Sequence, residues 1–259
     1  MPVFYDQLNR AVDLPATPKR IISVVPSQTE LLFDLGLDEK IIGITNFCTH
    51  PADKTKSKTK VGGTKKLDIE LIKSLKPDLI IANKEENDRA QIEELIQYFP
   101  VWISDINTLQ GAVDMINSIG EMLDCKDKVE TIGRSIIHQF DQLKPLPSKL
   151  RVAYLIWRKP YMVAGNDTFI NSMLQQCGLI NAFDLSRYPQ INNDMLIDAN
   201  PDLVFLSSEP YPFAEKHITE FKVIVPNAKI ILVDGEMFSW YGSRLLLAPG
   251  YMSGLISTL

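Results

Sequence analysis

The sequence has no apolar run near the ~20 residues that a membrane-spanning helix needs; its apolar runs, such as IISVV and LVFL, are strand-sized. The opening MPVFYDQLNRAVDLPATPKR lacks an apolar export-signal core and a cleavage-like site, and Met1-Pro2 reads as a native start. A cytoplasmic protein is the expectation for the chain as written. Cysteine is scarce: Cys48, Cys125 and Cys177 are odd in number, far apart and without CxxC. A disulfide framework is therefore not expected, and free thiols suit a reducing compartment. Basic charge is also short. With 27 basic against 32 acidic side chains the formal charge is −5, which speaks against a nucleic-acid surface. GxGxxG and GxSxG are absent, and Gly62-Gly63 opens no phosphate-binding GxxxxGKS or GxxxxGKT loop. The histidines are only His50, His138 and His217, which suggest no Ser-His-Asp order. Cys48-x-His50 offers two metal donors where a transition-metal site wants three or four. No metal site is assigned, and an enzyme is not expected.

What is present is a folded composition, 45% hydrophobic and 23% charged. Short β-branched runs, RIISVV (20–25), LIIA (79–82), RVAYLI (151–156), LVFL (203–206) and IILV (230–233), alternate with stretches of helical period such as TELLFDLG and DRAQIEELIQYF. Continuous apolar runs read as buried parallel strands, so the class is α/β. DIELIKSLKPDLIIANKEE from Asp68 superposes on NNDMLIDANPDLVFLSSEP from Asn192, sharing Pro-Asp-Leu, a strand and then Glu85 or Glu209. Helix-stop prolines before strands are common. Here, however, RIISVVPS also answers RVAYLIWR, and VWISDIN answers IILVDGE, in the same order. Two α/β lobes are expected: an N-terminal lobe at 1–124, a connecting helix within 125–147 and a C-terminal lobe at 148–259. The connector, CKDKVETIGRSIIHQFDQL (125–143), contains no proline, and as one helix it would be a rod of roughly 28 Å.

In open α/β sheets, ligands bind outside the carboxyl ends of the strands. In the first half, the candidates there are Ser27, Gln28, Phe47, Cys48, Thr64, Lys65, Asn83, Lys84 and Glu85. In the second they are Trp157, Arg158, Tyr161, Arg187, Tyr188, Glu209, Tyr211, Phe238, Trp240, Tyr241 and Arg244. Each alone is an ordinary loop residue. Together, aromatics beside arginine and lysine suit a large, flat, partly anionic ligand. The lysine-rich DKTKSKTKVGGTKK is either a solvated loop or a rim that attracts anions.

The stretches RIISVVPSQTELLFDLG (20–36), VGGTKKLDIELIKSLKPDLIIANKEEN (61–87), AGNDTFINSMLQQCGLINAF (164–183) and ANPDLVFLSSEP (199–210) resemble the helical-backbone periplasmic-binding type of receptor. These are the substrate-binding components of ABC importers for cobalamin and ferric siderophores, and the cobalamin-binding members look closest. The resemblance implies two Rossmann-like lobes with parallel sheets, joined by one long helix, with the ligand in a cleft between them. It implies a monomer that binds a small molecule and docks on ABC permease subunits. No resident cofactor is required, since cobalamin or a ferric chelate would be cargo. The family's docking glutamate matches Glu70; its second-lobe partner falls on Ser239, with Glu236 nearby. The aromatics of the cobalamin binders fall on Thr64 and Met237, leaving Phe47, Trp157, Phe238, Trp240 and Tyr241 as substitutes. Family membership implies a periplasmic place if a leader was removed. The alternative is a cytosolic carrier or sensor of a metal chelate on the same fold.

Overall fold

The structure is a computed structural model that describes residues 3–259, so the reading of Met1-Pro2 as a native start lies outside the described residues. The chain forms two compact units. The first comprises the described residues to Ile106, then Gln110–Ile136 and Tyr241–Arg244; the second comprises Asn107–Leu109, Ile137–Trp240 and Leu245–Leu259.

In the first unit, β1 (Ile21–Ser23), β2 (Ile41–Ile44), β3 (Thr59–Lys60), β4 (Leu79–Asn83) and β5 (Val101–Ser104) make a parallel sheet of order β3-β2-β1-β4-β5. Its strands read as unbroken apolar runs because both faces are buried: Ile22, Ile80, Ala82, Val101 and Ile103 enter one cluster, and Ile21, Ile81 and Trp102 at the alternate positions are fully buried too. Helix α1 (Pro26–Asp34) starts directly after β1, its Pro26 occupying a first-turn position where no amide donor is needed. Helix α2 (Ile69–Leu75) precedes β4. Helix α3 (Leu109–Met122) leads to α4 (Lys126–Gln142), 17 residues long and within the span expected for the connector. Along α4, Val129, Ile136 and Phe140 are buried, and the two-unit division falls between Ile136 and Ile137.

The second unit has β6 (Arg151–Trp157), β7 (Tyr161–Val163), β8 (Ile180–Asn181), β9 (Gln190–Ile191), β10 (Leu203–Ser207) and β11 (Lys229–Val233), in the order β9-β7-β6-β10-β11 with β8 also on β6. Strands β8, β6, β10 and β11 are parallel, but β7 runs antiparallel to both β6 and β9. This sheet is mixed where the sequence suggested a parallel one. Only Arg158, Lys159 and Pro160 separate β6 from β7, too short a link for a parallel crossover. Helix α5 (Asn193–Ala199) precedes β10, and α6 (Ile218–Ile224) follows it.

The sequence repeat is a repeat of hydrogen bonds. Asp68 caps α2 by accepting from Leu71 N, and Asn192 caps α5 by accepting from Met195 N. Lys76 (φ 48°) and Asn200 (φ 41°) end the two helices in the left-handed conformation, ahead of Pro77 and Pro201. Asp78 then accepts from the backbone N–H of Arg20 at 2.8 Å, and Asp202 from that of Arg151 at 2.7 Å. Both arginines return a guanidinium N–H to the last carbonyls of the preceding helix, Arg20 to Leu75 and Arg151 to Ala199. Pro-Asp-Leu thus marks the point where a helix end is tied to the start of the neighbouring strand.

Candidate functional site

In the first unit, Asn83 closes β4 with its side chain fully engaged. Its Oδ1 accepts from Glu85 N (2.8 Å) and Glu86 N (3.0 Å), and its Nδ2 donates to Ser104 Oγ (2.9 Å) and Ser104 O (3.2 Å). Gln28, in the first turn of α1, donates to the same Ser104 hydroxyl at 2.5 Å, while its Oε1, wholly buried, has no partner among the described residues. Asn87 accepts from Asn83 N and donates to Val24 O (3.0 Å) and Thr64 O (3.1 Å), fastening the ends of β1 and β4 to the turn at Thr64. Lys65 crosses that turn to the carbonyls of Glu85 (2.5 Å) and Asn87 (3.2 Å), and Lys84 pairs with Asp105 at 2.7 Å. Burial raises the carboxyl of Glu86, with Lys65 opposing. Ser27 is buried and Thr64 and Glu85 are half-buried, whereas Phe47 stands 60% exposed with its ring against Gly63.

Cys48 is a packing thiol. It is buried, hydrogen-bonded to the hydroxyls of Thr29 (3.1 Å) and Thr45 (3.2 Å), and burial raises its pKa. Among the described residues no three His, Cys, Asp or Glu side chains are grouped so as to hold a metal. The lysine-rich segment is mostly anchored: Lys54 bridges to Asp38 (2.8 Å), Lys58 donates to Asp38 O (2.6 Å) and Lys60 to Cys48 O (3.3 Å). Arg244 belongs to this first unit, together with buried Tyr241. Its guanidinium grips Glu30 of α1 with two nearly buried hydrogen bonds, Nη2–Oε1 at 2.5 Å and Nε–Oε2 at 2.9 Å. Burial raises the Glu30 carboxyl, and the bond from Arg244 works against it.

In the second unit, Trp157 ends β6 with 39% of its surface exposed and sets its ring edge-on to Tyr211 at 5.8 Å. The Tyr211 hydroxyl lies 3.3 Å from His217 Nε2, and His217 Nδ1 accepts from Ala214 N at 2.9 Å. That acceptor role places the proton of the neutral ring on Nε2. Next to Trp157, Arg158 donates from Nε to Glu220 Oε2 at 2.9 Å and sets Nη2 2.8 Å from it, and the Tyr161 hydroxyl also donates to Glu220. Burial raises the Glu220 carboxyl, but these hydrogen bonds outweigh it and hold the group below its usual range. The same surroundings push the Tyr161 phenol up to about 12, burial first and the Glu220 carboxylate second.

At the ends of β10 and β11, an open pocket of about 640 Å³ is lined by Ser208, Glu209, Leu232, Val233, Asp234 and Glu236. Ser239 donates to Glu209 at 2.6 Å, and a Cβ on Gly235 would lie 2.4 Å from Ser207 Oγ. Phe238 is completely buried against Tyr154 (5.3 Å) and Phe205 (6.1 Å), and Trp240 is buried as well. Arg187 and Tyr188 sit on a separate loop whose Ser186 hydroxyl and Arg187 N–H are held by Asp167. Of the sequence candidates, the structure gathers Trp157, Arg158, Tyr161 and Tyr211 in one cluster and Gln28, Asn83 and Lys65 in another. Sequence reasoning passed over Glu220 and Glu30, which act on partners far along the chain and carry no local signal. Asn87 falls in the strand-end loop that opens at Asn83, and its side chain closes that turn.

Glu70 is exposed on α2, 3.1 Å from Lys73. In the hydrogen-bonded repeat its counterpart is Asp194, exposed at the matching turn of α5. Ser239 and Glu236 lie elsewhere, on the short helix Glu236–Ser239 after β11.

The chain thus uses an α/β unit twice, carries aromatic and amide side chains at its strand ends, and has a long helix at the division. The periplasmic binding protein family model matches residues 21–222, and the chain belongs to that family. It is 24% identical over 253 aligned residues to the vitamin B12-binding protein of Pectobacterium carotovorum subsp. carotovorum, covering 94% of this chain and 90% of that one. It is 27% identical to YvrC, an uncharacterized ABC transporter substrate-binding lipoprotein of Bacillus subtilis, over 93% of this chain and 81% of the relative. The solved petrobactin-binding protein YclQ of Bacillus subtilis superposes with a TM-score of 0.82 over 98% of both chains, at 16% identity, a likeness of fold.

Proposed function

We propose that this chain is the substrate-binding receptor of an ABC importer and that its ligand is a corrinoid such as cobalamin. The observation that carries the choice of ligand is the state of four candidate cations. Lys65, Lys84, Arg158 and Arg244 already hold carbonyls or carboxylates, while the rings of Phe47 and Trp157 remain exposed. In each unit taken by itself, strand ends of this kind favour a broad apolar ring edged with neutral amides over a polyanionic ferric chelate. The vitamin B12-binding relative supports the same reading.

Cyanocobalamin should quench the tryptophan fluorescence saturably, and Trp157→Ala should weaken its binding by about 1 kcal/mol. Binding of a ferric siderophore without binding of cyanocobalamin below millimolar concentration would make the ligand assignment wrong. The receptor acts as a monomer and needs no resident cofactor. It docks on permease subunits through Glu70 and its repeat counterpart Asp194, and it works where its family works, on the outer side of the cytoplasmic membrane. Cell fractionation checks the location: recovery of the native protein only from cytosol would favour an uncoupled carrier of the same ligand.

A further inference from the structure

Arg158 leaves the end of β6 beside exposed Trp157, and Glu220 reaches it from the first turn of α6, 62 residues further along the chain. Both side chains are about one quarter exposed, Arg158 at 23% and Glu220 at 26%, so an arriving solute meets the pair itself. A glutamine at position 220 has one acceptor oxygen, which can keep bonds from Arg158, while its amide NH2 can meet the Tyr161 hydroxyl only as a donor. What glutamate adds is a second acceptor and, above all, a negative charge that cancels the guanidinium.

We propose that Glu220 is a specificity-determining residue: by neutralising Arg158 it makes this strand end refuse carboxylate-bearing metal chelates and accept neutral, amide-bearing ones. The inference rests on the proposed role of this face in ligand binding. A ligand carboxylate approaching Arg158 has to displace Glu220, whose three hydrogen bonds from Arg158 and Tyr161 would then be lost. If it does not displace Glu220, it meets a like charge at close range. An amide oxygen or N–H carries no such penalty. The pair therefore acts as a filter on ligand charge, while stacking on Trp157 is indifferent to charge.

The test compares cyanocobalamin with haemin, which carries two carboxylates, on the wild type, Glu220→Gln and the double variant Glu220→Gln/Arg158→Gln. Melting curves establish that each variant folds, and Glu220→Ala serves in place of Glu220→Gln should that variant fail to fold. Glu220→Gln should gain about tenfold in haemin affinity, the scale of one freed charge-assisted hydrogen bond. Its cyanocobalamin affinity is measured alongside, so that the gain is read as a rise in the haemin-to-cyanocobalamin ratio. The double variant should lose the haemin gain, which a merely structural role for Glu220 would not produce. An unchanged haemin-to-cyanocobalamin ratio in Glu220→Gln overturns the proposal, as does a gain that survives loss of Arg158. A wild type that binds no cyanocobalamin overturns the corrinoid assignment instead, and the haemin arm alone then decides the role of Glu220.

Discussion

Single atoms decide how the strand ends can be used. The three thiols differ in surroundings rather than in kind: Cys48 is buried between two threonine hydroxyls, Cys177 is buried with its pKa pushed up to about 12, and Cys125 is half-exposed. Because the thiolate is the reactive form, a thiol reagent at neutral pH should modify Cys125 first, and Cys48 and Cys177 only on unfolding. Mass mapping of the labelled native protein checks this; early labelling of Cys48 would mean that its pocket opens. At Gly235 the constraint is steric. An added methyl would lie 2.6 Å from Glu209 Cγ as well as against Ser207 Oγ, so Gly235→Ala should destabilise the fold by about 1–3 kcal/mol in a denaturant titration. It should also disturb the Ser239–Glu209 bond and with it the wall of the open pocket.

Helices and strands were readable in proportion to how local their causes are. Pro-Asp-Leu announced both helix ends correctly because the proline, the aspartate and the left-handed cap act within a few residues of one another. The matched caps make an even-handed prediction: Asp68→Ala and Asn192→Ala should each lower stability by about 1 kcal/mol, measured by denaturant unfolding. A loss at only one of them would break the equivalence. The hairpin β6–β7 was missed because a continuous apolar strand looks the same whichever way its neighbour runs. Glu220 was missed because its partner lies in another element. Its titration is nevertheless measurable. Its folded-state carboxyl lies below the unfolded value, so the stabilisation is complete above about pH 4.3 and is lost as pH falls through the lower folded value. The gap in melting temperature between wild type and Glu220→Gln should therefore narrow from pH 5 toward pH 3. A gap independent of pH would show that the ion pair adds no stability.

At the scale of the whole molecule, the first unit depends on residues that arrive late in the sequence. Tyr241–Arg244 are counted with it although the residues on either side belong to the second unit. Gly242, at φ 133°, brings its backbone close to Ser27 O, where a side chain would meet that carbonyl at 3.0 Å. Two positions along, Arg244 meets Glu30, 214 residues away in sequence. Arg244→Ala leaves a nearly buried carboxylate without its cation and should cost about 3 kcal/mol. Glu30→Gln combined with Arg244→Ala should recover part of that loss, and a double variant no more stable than the single one would show that charge is not the cause. A contiguous gene cassette encoding only the N-terminal half would therefore omit a working part of that half. Chimaeras assembled by exchanging halves between related receptors would pair Glu30 with whatever residue the incoming half supplies at position 244. Those that preserve the guanidinium should survive in a screen for soluble protein, so compatibility at this one position, rather than overall similarity, would sort viable hybrids from failures.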